Sequence, residues 1–124
     1  MSYLIVFFGA GVGGTFRHGV NLLSARLFGF EFPFGTLAVN IVGSLLMGAF
    51  IGYFALKGEA GQHWRLFLTT GILGGFTTFS AFSMDVVALV ERGETALAAI
   101  YASASLGLSI GALFIGLQLI RSLV

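Results

Sequence analysis

Thr36, Asn40 and Ser44 recur at i, i+4 and i+8, and Tyr101, Ser105 and Ser109 repeat that spacing further along the chain. Residues four apart share one face of a helix. Each set therefore draws a polar stripe along an otherwise apolar cylinder. A serine or threonine in such a stripe can bond back to its own helix or to a neighbouring one. Asn40 asks for more, because a carboxamide has two donors and two acceptors to satisfy. It reads as a site residue, with interhelical glue as the other reading. Neither stripe carries a carboxylate. Arg17, His18 and Asp85 are the ionisable groups embedded in apolar sequence. A lining rich in N–H and O–H donors and free of acids suits a small anion better than a cation, and it lacks the acidic relay that proton coupling needs. The chain has no cysteine, its two histidines (His18 and His63) have no ligand spacing, and no nucleophile stands beside a base. Thiolate, metal-cluster and enzymatic chemistry therefore have no residues to carry them.

The elements that hold these stripes must lie in lipid. Of 124 residues, 57% are hydrophobic and 9% charged, and the mean hydropathy is +1.01. That is too little charge to cover a water-facing surface, and a net charge of +1 gives no footprint for nucleic acid. The sequence predicts a single all-α membrane domain of four spans, about 3–27, 34–56, 64–90 and 95–120. The first is read as a retained span, since the N-terminus has no basic region of the kind that opens a signal peptide. Short connectors hold most of the charge. Both termini then share a side with Lys57, Arg65 and Arg121, against Arg26 and Arg92 on the other. A bias this small supports insertion both ways up, hence an antiparallel homodimer with two-fold symmetry. It is also compatible with one weakly preferred orientation. Gly9 and Gly13, Gly48 and Gly52, and Gly107 and Gly111 follow the small-xxx-small spacing of close helix contacts.

The third span is interrupted by its own composition. In GGFTTFSAFS, beginning at Gly74, two glycines are followed by four hydroxyls with three phenylalanines among them. The propensities predict unwinding at about Gly74–Thr78. Irregular backbone at membrane depth is tolerated where it is buried or lines a cavity, and broken helices often make ion sites. Phe79 and Phe82 lie i, i+3 on the helix that resumes, so they share a face. Ring edges carry weak positive charge, which suits an anion stripped of water. Arg17 either raises anion concentration at a vestibule or pairs with Asp85, about 7 Å away in depth on a 1.5 Å rise per residue. His18 acquires no role.

The segments GVGGTFRHGVN, FGTLAVNIVGSLLMG, GILGGFTTFSAFSMD and YASASLGLS resemble the Fluc (CrcB) family of fluoride channels along essentially the whole chain. The third is the most specific. The resemblance implies an antiparallel, dual-topology homodimer in the bacterial cytoplasmic (inner) membrane, with two anion pathways and passive, selective export of fluoride. It implies a lining of Asn40, Phe79 and Phe82, a hydroxyl track of Tyr101, Ser105 and Ser109, and Thr36 one turn from the asparagine. It further implies a structural Na+ on the dimer axis, bound by backbone carbonyls at Gly74 and Thr77. Two rivals are a small dual-topology multidrug exporter, which would need a glutamate in its first span, and a non-conducting scaffold, which leaves the interrupted third span unexplained.

Overall fold

The computed structural model describes residues 1–57 and 61–123; the Lys57 side chain counted above and the 58–60 part of the second connector lie outside the described residues. Helices α1 (Ser2–Phe28) and α2 (Phe34–Lys57) are continuous. The third segment is composite: α3 (Gln62–Arg65), a π-helical segment (Leu66–Leu73), α4 (Gly74–Phe76) and α5 (Phe79–Glu91). Helix α6 (Thr95–Leu123) closes the chain. No strand occurs among the described residues. Three helical stretches, Phe34–Leu56, Gln62–Glu91 and Thr95–Leu123, are long and apolar enough to cross a membrane. Helix α1 has 27 residues, enough length to span. It is less apolar than those three, with Arg17, His18, Asn21 and Arg26 in its second half.

The helix ends follow local chemistry. Pro33 stands just before α2, where its missing N–H costs nothing, and its carbonyl accepts Leu37 N–H at 3.2 Å. At the end of α5, Gly93 takes φ 79°. Its N–H reaches the Val90 carbonyl and Glu94 N–H reaches that of Leu89, at 3.0 and 2.9 Å. That is the Schellman closure, which needs a residue free of the left-handed penalty. Arg92 beside it donates to the carbonyls of Phe30 and Glu31, at 3.4 and 2.6 Å. The α1–α2 and α5–α6 corners are thereby tied together at one end of the bundle, as an up-and-down path requires.

Packing is close because glycines let backbones meet. A β-carbon on Gly48 would fall into the Leu113 carbonyl, and one on Gly116 into the Leu45 carbonyl, so α2 and α6 touch backbone to backbone. Likewise Gly9 and Gly13 of α1 lie against Gly71, Phe67 and Ile72 of the π segment, and Gly75 against Ala10. Two of the three predicted small-residue pairs are therefore used within the chain. Gly107 and Gly111 have nothing within 4 Å of a β-carbon position.

One buried cluster holds Leu89, Ala98 and Tyr101, with Phe32, Leu37, Phe82, Val86 and Leu97 packed around them; Val39, Phe54, Leu73 and Ala112 are buried outside it. Phe7, Phe16, Leu22, Leu108 and Phe114 point outward. A surface this apolar needs lipid or protein against it.

The interruption of the third segment is shorter than the sequence suggests. Gly74–Phe76 remain helical, and only Thr77 (φ −82°, ψ 158°) and Thr78 (φ −154°, ψ 124°) are extended. Gly71 and Gly75 serve contact with α1 rather than unwinding.

Gly48→Val is expected to destabilise the fold by about 1–3 kcal/mol or more through overpacking against α6, whereas Gly19→Ala, with open space around it, should be near neutral. Thermal unfolding in detergent, followed by Trp64 fluorescence, compares the two.

Candidate functional site

An extended residue inside a membrane helix exposes a donor and an acceptor that need partners. Thr78 finds both in one side chain. Its N–H donates to Asn40 Oδ1 at 2.9 Å, and Asn40 Nδ2 donates to its carbonyl at 3.1 Å. The carboxamide thus pairs with Thr78 as a neighbouring strand would. Helix α2 supports the same spot through Gly43, where a β-carbon would fall on the Thr77 methyl group. Thr77 Oγ1 bonds back to the Leu73 carbonyl at 2.9 Å. Thr78 caps the resuming helix, its hydroxyl accepting Ala81 N–H at 3.1 Å.

These bonds redirect two helical donors. Thr78 N–H would serve the Gly74 carbonyl in a continuing helix, and Ala81 N–H would serve that of Thr77. Both are spent elsewhere. The carbonyls expected to face a cation are thus the ones stripped of their intrahelical donors, so the donor set fits a hard monovalent cation in chemistry. The Gly75 carbonyl between them takes Arg17 Nε at 3.1 Å. A guanidinium there meets the negative end of the preceding helical stretch.

Beside the interruption lies a cavity of about 230 Å³. Asn40, Ser44, Phe79, Phe82, Ser105 and Ser109 line it, with Thr77, Thr78 and Leu106 completing the wall. No carboxylate is among them. The Oγ atoms of Ser105 and Ser109 are buried and have no hydrogen-bond partner among the described residues. Desolvated hydroxyls of this kind are costly unless something else is bonded to them. Asn40 spends one Nδ2 hydrogen on Thr78 and keeps the other. The Phe79 and Phe82 rings stand 5.5 Å apart at 46°, and Phe82 continues to Tyr101 at 5.4 Å.

The structure thus brings Asn40, Phe79, Phe82, Ser105 and Ser109 together. Thr36 and Tyr101 prolong the two rows one turn away from Asn40 and Ser105, but they are buried in the core and outside the cavity wall. Tyr101 donates to Asp85 Oδ2 at 3.0 Å. The pairing of Arg17 with Asp85 is therefore corrected: each group has another partner, because Arg17 packs against the α4 end and Asp85 faces α6. Arg17 does not line the cavity either. His18 is exposed. Ser44 and Thr78 belong to the wall although the sequence reading left them out of the site. The 36/40/44 row carried the signal for Ser44, and the capping position three residues before Ala81 carried it for Thr78.

Asn40→Ala should leave both Thr78 backbone groups unpaired and cost about 2 kcal/mol. Hydrogen exchange at the Thr78 amide should then speed up; unchanged protection there would dissociate Asn40 from the interruption.

The chain is similar to known proteins along its whole length. The family model described as CrcB-like protein, Camphor Resistance (CrcB), matches residues 4–117. A protein of Granulibacter bethesdensis named Fluoride-specific ion channel FluC is 64% identical over 100% of this chain and 98% of its own. Fluoride-specific ion channel FluC 2 of Nitrobacter hamburgensis is 56% identical over 99% of both chains. Fluoride-specific ion channel FluC of Rhodopseudomonas palustris is 55% identical, again over 99% of both. These names describe ion channels rather than enzymes. With a match of this length and identity from end to end, the chain belongs to the CrcB family.

Proposed function

We propose that the chain is a passive, selective fluoride channel that lets cytoplasmic fluoride leave a bacterial cell across its inner membrane, down its electrochemical gradient. One observation carries the reading: a cavity walled by a carboxamide, two phenylalanine rings and two buried hydroxyls, with no carboxylate in the wall and no partner for those hydroxyls among the described residues. Fluoride is the smallest halide and the strongest hydrogen-bond acceptor among them. It gives up water only where donors replace it. Ser105 and Ser109 hydroxyls and the second Asn40 N–H are placed to donate, and the Phe79 and Phe82 edges offer positive charge without competing water. The names of the relatives support the same ion. Thr36 and Tyr101 extend the donor rows on this reading, and Arg17 acts by holding the interruption.

The working unit on this reading is an antiparallel, dual-topology homodimer of four-span chains with two pathways. The rim of the cavity supports it: Phe79 and Leu106 are 73% and 55% exposed in the single chain, and a second copy would close the wall. The near-even Lys/Arg count of the two sides points the same way. Gly74 and Thr77 of each copy would supply four carbonyl oxygens to a structural Na+, whose chemistry is to neutralise those carbonyls and join the two interruptions.

Purified protein in liposomes should release fluoride with chloride far slower; equal rates would remove the selectivity. Ser109→Ala should lower fluoride flux about tenfold or more, the scale of one hydrogen bond to a charged group. It should scarcely change the melting temperature, since that hydroxyl has no partner to lose among the described residues. A cysteine in one terminal segment should label from both faces of the membrane, and replacing sodium by a bulky organic cation should stop flux. One-sided labelling, or flux indifferent to sodium, would refute the corresponding part.

A further inference from the structure

A second concave region lies away from the cavity, where the third segment begins beside the start of α1. A pocket of about 320 Å³ is lined by Ser2, Gln62, His63, Arg65, Thr69 and Thr70, with Leu66 at its side. No acid lines it. The Arg65 guanidinium has no hydrogen bond or ion pair among the described residues; only its backbone is engaged. A groove of about 270 Å³ adjoins, formed by Ile5, His63, Trp64 and Phe67. His63 belongs to both. A basic, donor-rich compartment and an apolar one therefore meet at one side chain.

Position gives the pair its meaning. The residues sit at the end of Gln62–Glu91, a stretch able to cross a membrane. Trp64 is 64% exposed and makes an edge contact with Phe67 at 6.0 Å. Tryptophan at such an end lies at headgroup level. A molecule that fills both compartments has an anionic head and an apolar tail.

We propose that this region binds an anionic glycerophospholipid. Its phosphate sits against Arg65 and His63, within reach of Ser2, Gln62 and Thr70 donors, and an acyl chain lies along Ile5, Trp64 and Phe67. The planar guanidinium matches a phosphate with two parallel hydrogen bonds. A zwitterionic lipid offers a phosphate too but brings its own ammonium beside Arg65, which lessens the net attraction, whereas an anionic headgroup adds no cation; a free phosphate would leave the groove bare. The assignment is independent of which ion the cavity conducts.

Trp64 is the only tryptophan and is itself part of the groove, so it reports occupancy directly. The full chain is placed in phosphatidylcholine vesicles containing phosphatidylglycerol, with bromine on the acyl chains of one lipid or the other. Brominated phosphatidylglycerol should quench Trp64 with about fivefold preference over brominated phosphatidylcholine, the factor one basic side chain contributes near anionic lipid. Arg65→Gln should abolish the preference and Arg65→Lys should retain part of it, with helix content unchanged. Equal quenching by the two lipids, or full preference in Arg65→Gln, would overturn the proposal. So would complete reversal by inorganic phosphate in the unmutated protein, which would make a soluble anion the ligand.

Discussion

The pairing of the Asn40 carboxamide with the backbone of Thr78 is the constraint on which the site depends. Two hydrogen bonds, at 2.9 and 3.1 Å, satisfy both polar groups of an extended residue that has no water to turn to. Without them both backbone groups of Thr78 would stand unpaired at membrane depth, and nothing from α2 would fix the direction of the helix that resumes at Phe79. A partly buried unpaired backbone group costs about 1–3 kcal/mol, which is enough to decide between a continuous and an interrupted helix when the competing hydrogen bonds are otherwise equal in number.

That constraint acts only because the helices come close enough. Helix α2 reaches the interruption with Asn40 and Gly43, and α1 reaches it from elsewhere with Arg17 on the Gly75 carbonyl. Backbone contact at Gly48, Gly116, Gly9 and Gly71 sets those distances. In lipid there is no hydrophobic gain from bringing two apolar helices together, so dispersion at short range and interhelical hydrogen bonds must hold them. Glycine serves the first and Asn40 the second.

The cavity wall separates two ways of treating a polar group at depth. Tyr101, just outside the wall, donates its hydroxyl to Asp85, Thr77 donates its own to the Leu73 carbonyl, and the Thr78 hydroxyl accepts Ala81 N–H. Ser105 and Ser109 give theirs to nothing among the described residues. Satisfied groups hold the structure, and the unpaired ones face the cavity. The same division explains why Asn40 serves both purposes: it has more hydrogen-bonding capacity than the interruption consumes.

By itself the sequence determined much of this. Low charge and long apolar runs dictate membrane helices, because lipid penalises anything else. The period of four in Thr36/Asn40/Ser44 and Tyr101/Ser105/Ser109 dictates which residues share a face, and the Gly–Thr–Ser composition after Leu73 marks a weak point in the third helix. Spacing within one helix is a property of that helix alone. The partners across helices were decided by the tertiary structure. Whether Arg17 met Asp85 or a carbonyl, where between Gly74 and Thr78 the helix opened, and whether the Ser105 and Ser109 hydroxyls found partners among the described residues all depend on how far apart helices lie and how they are rotated. Those quantities come from glycine contacts between segments distant in the chain. Asn40 captured Thr78 rather than any other residue because packing put it there, and no local propensity encodes that.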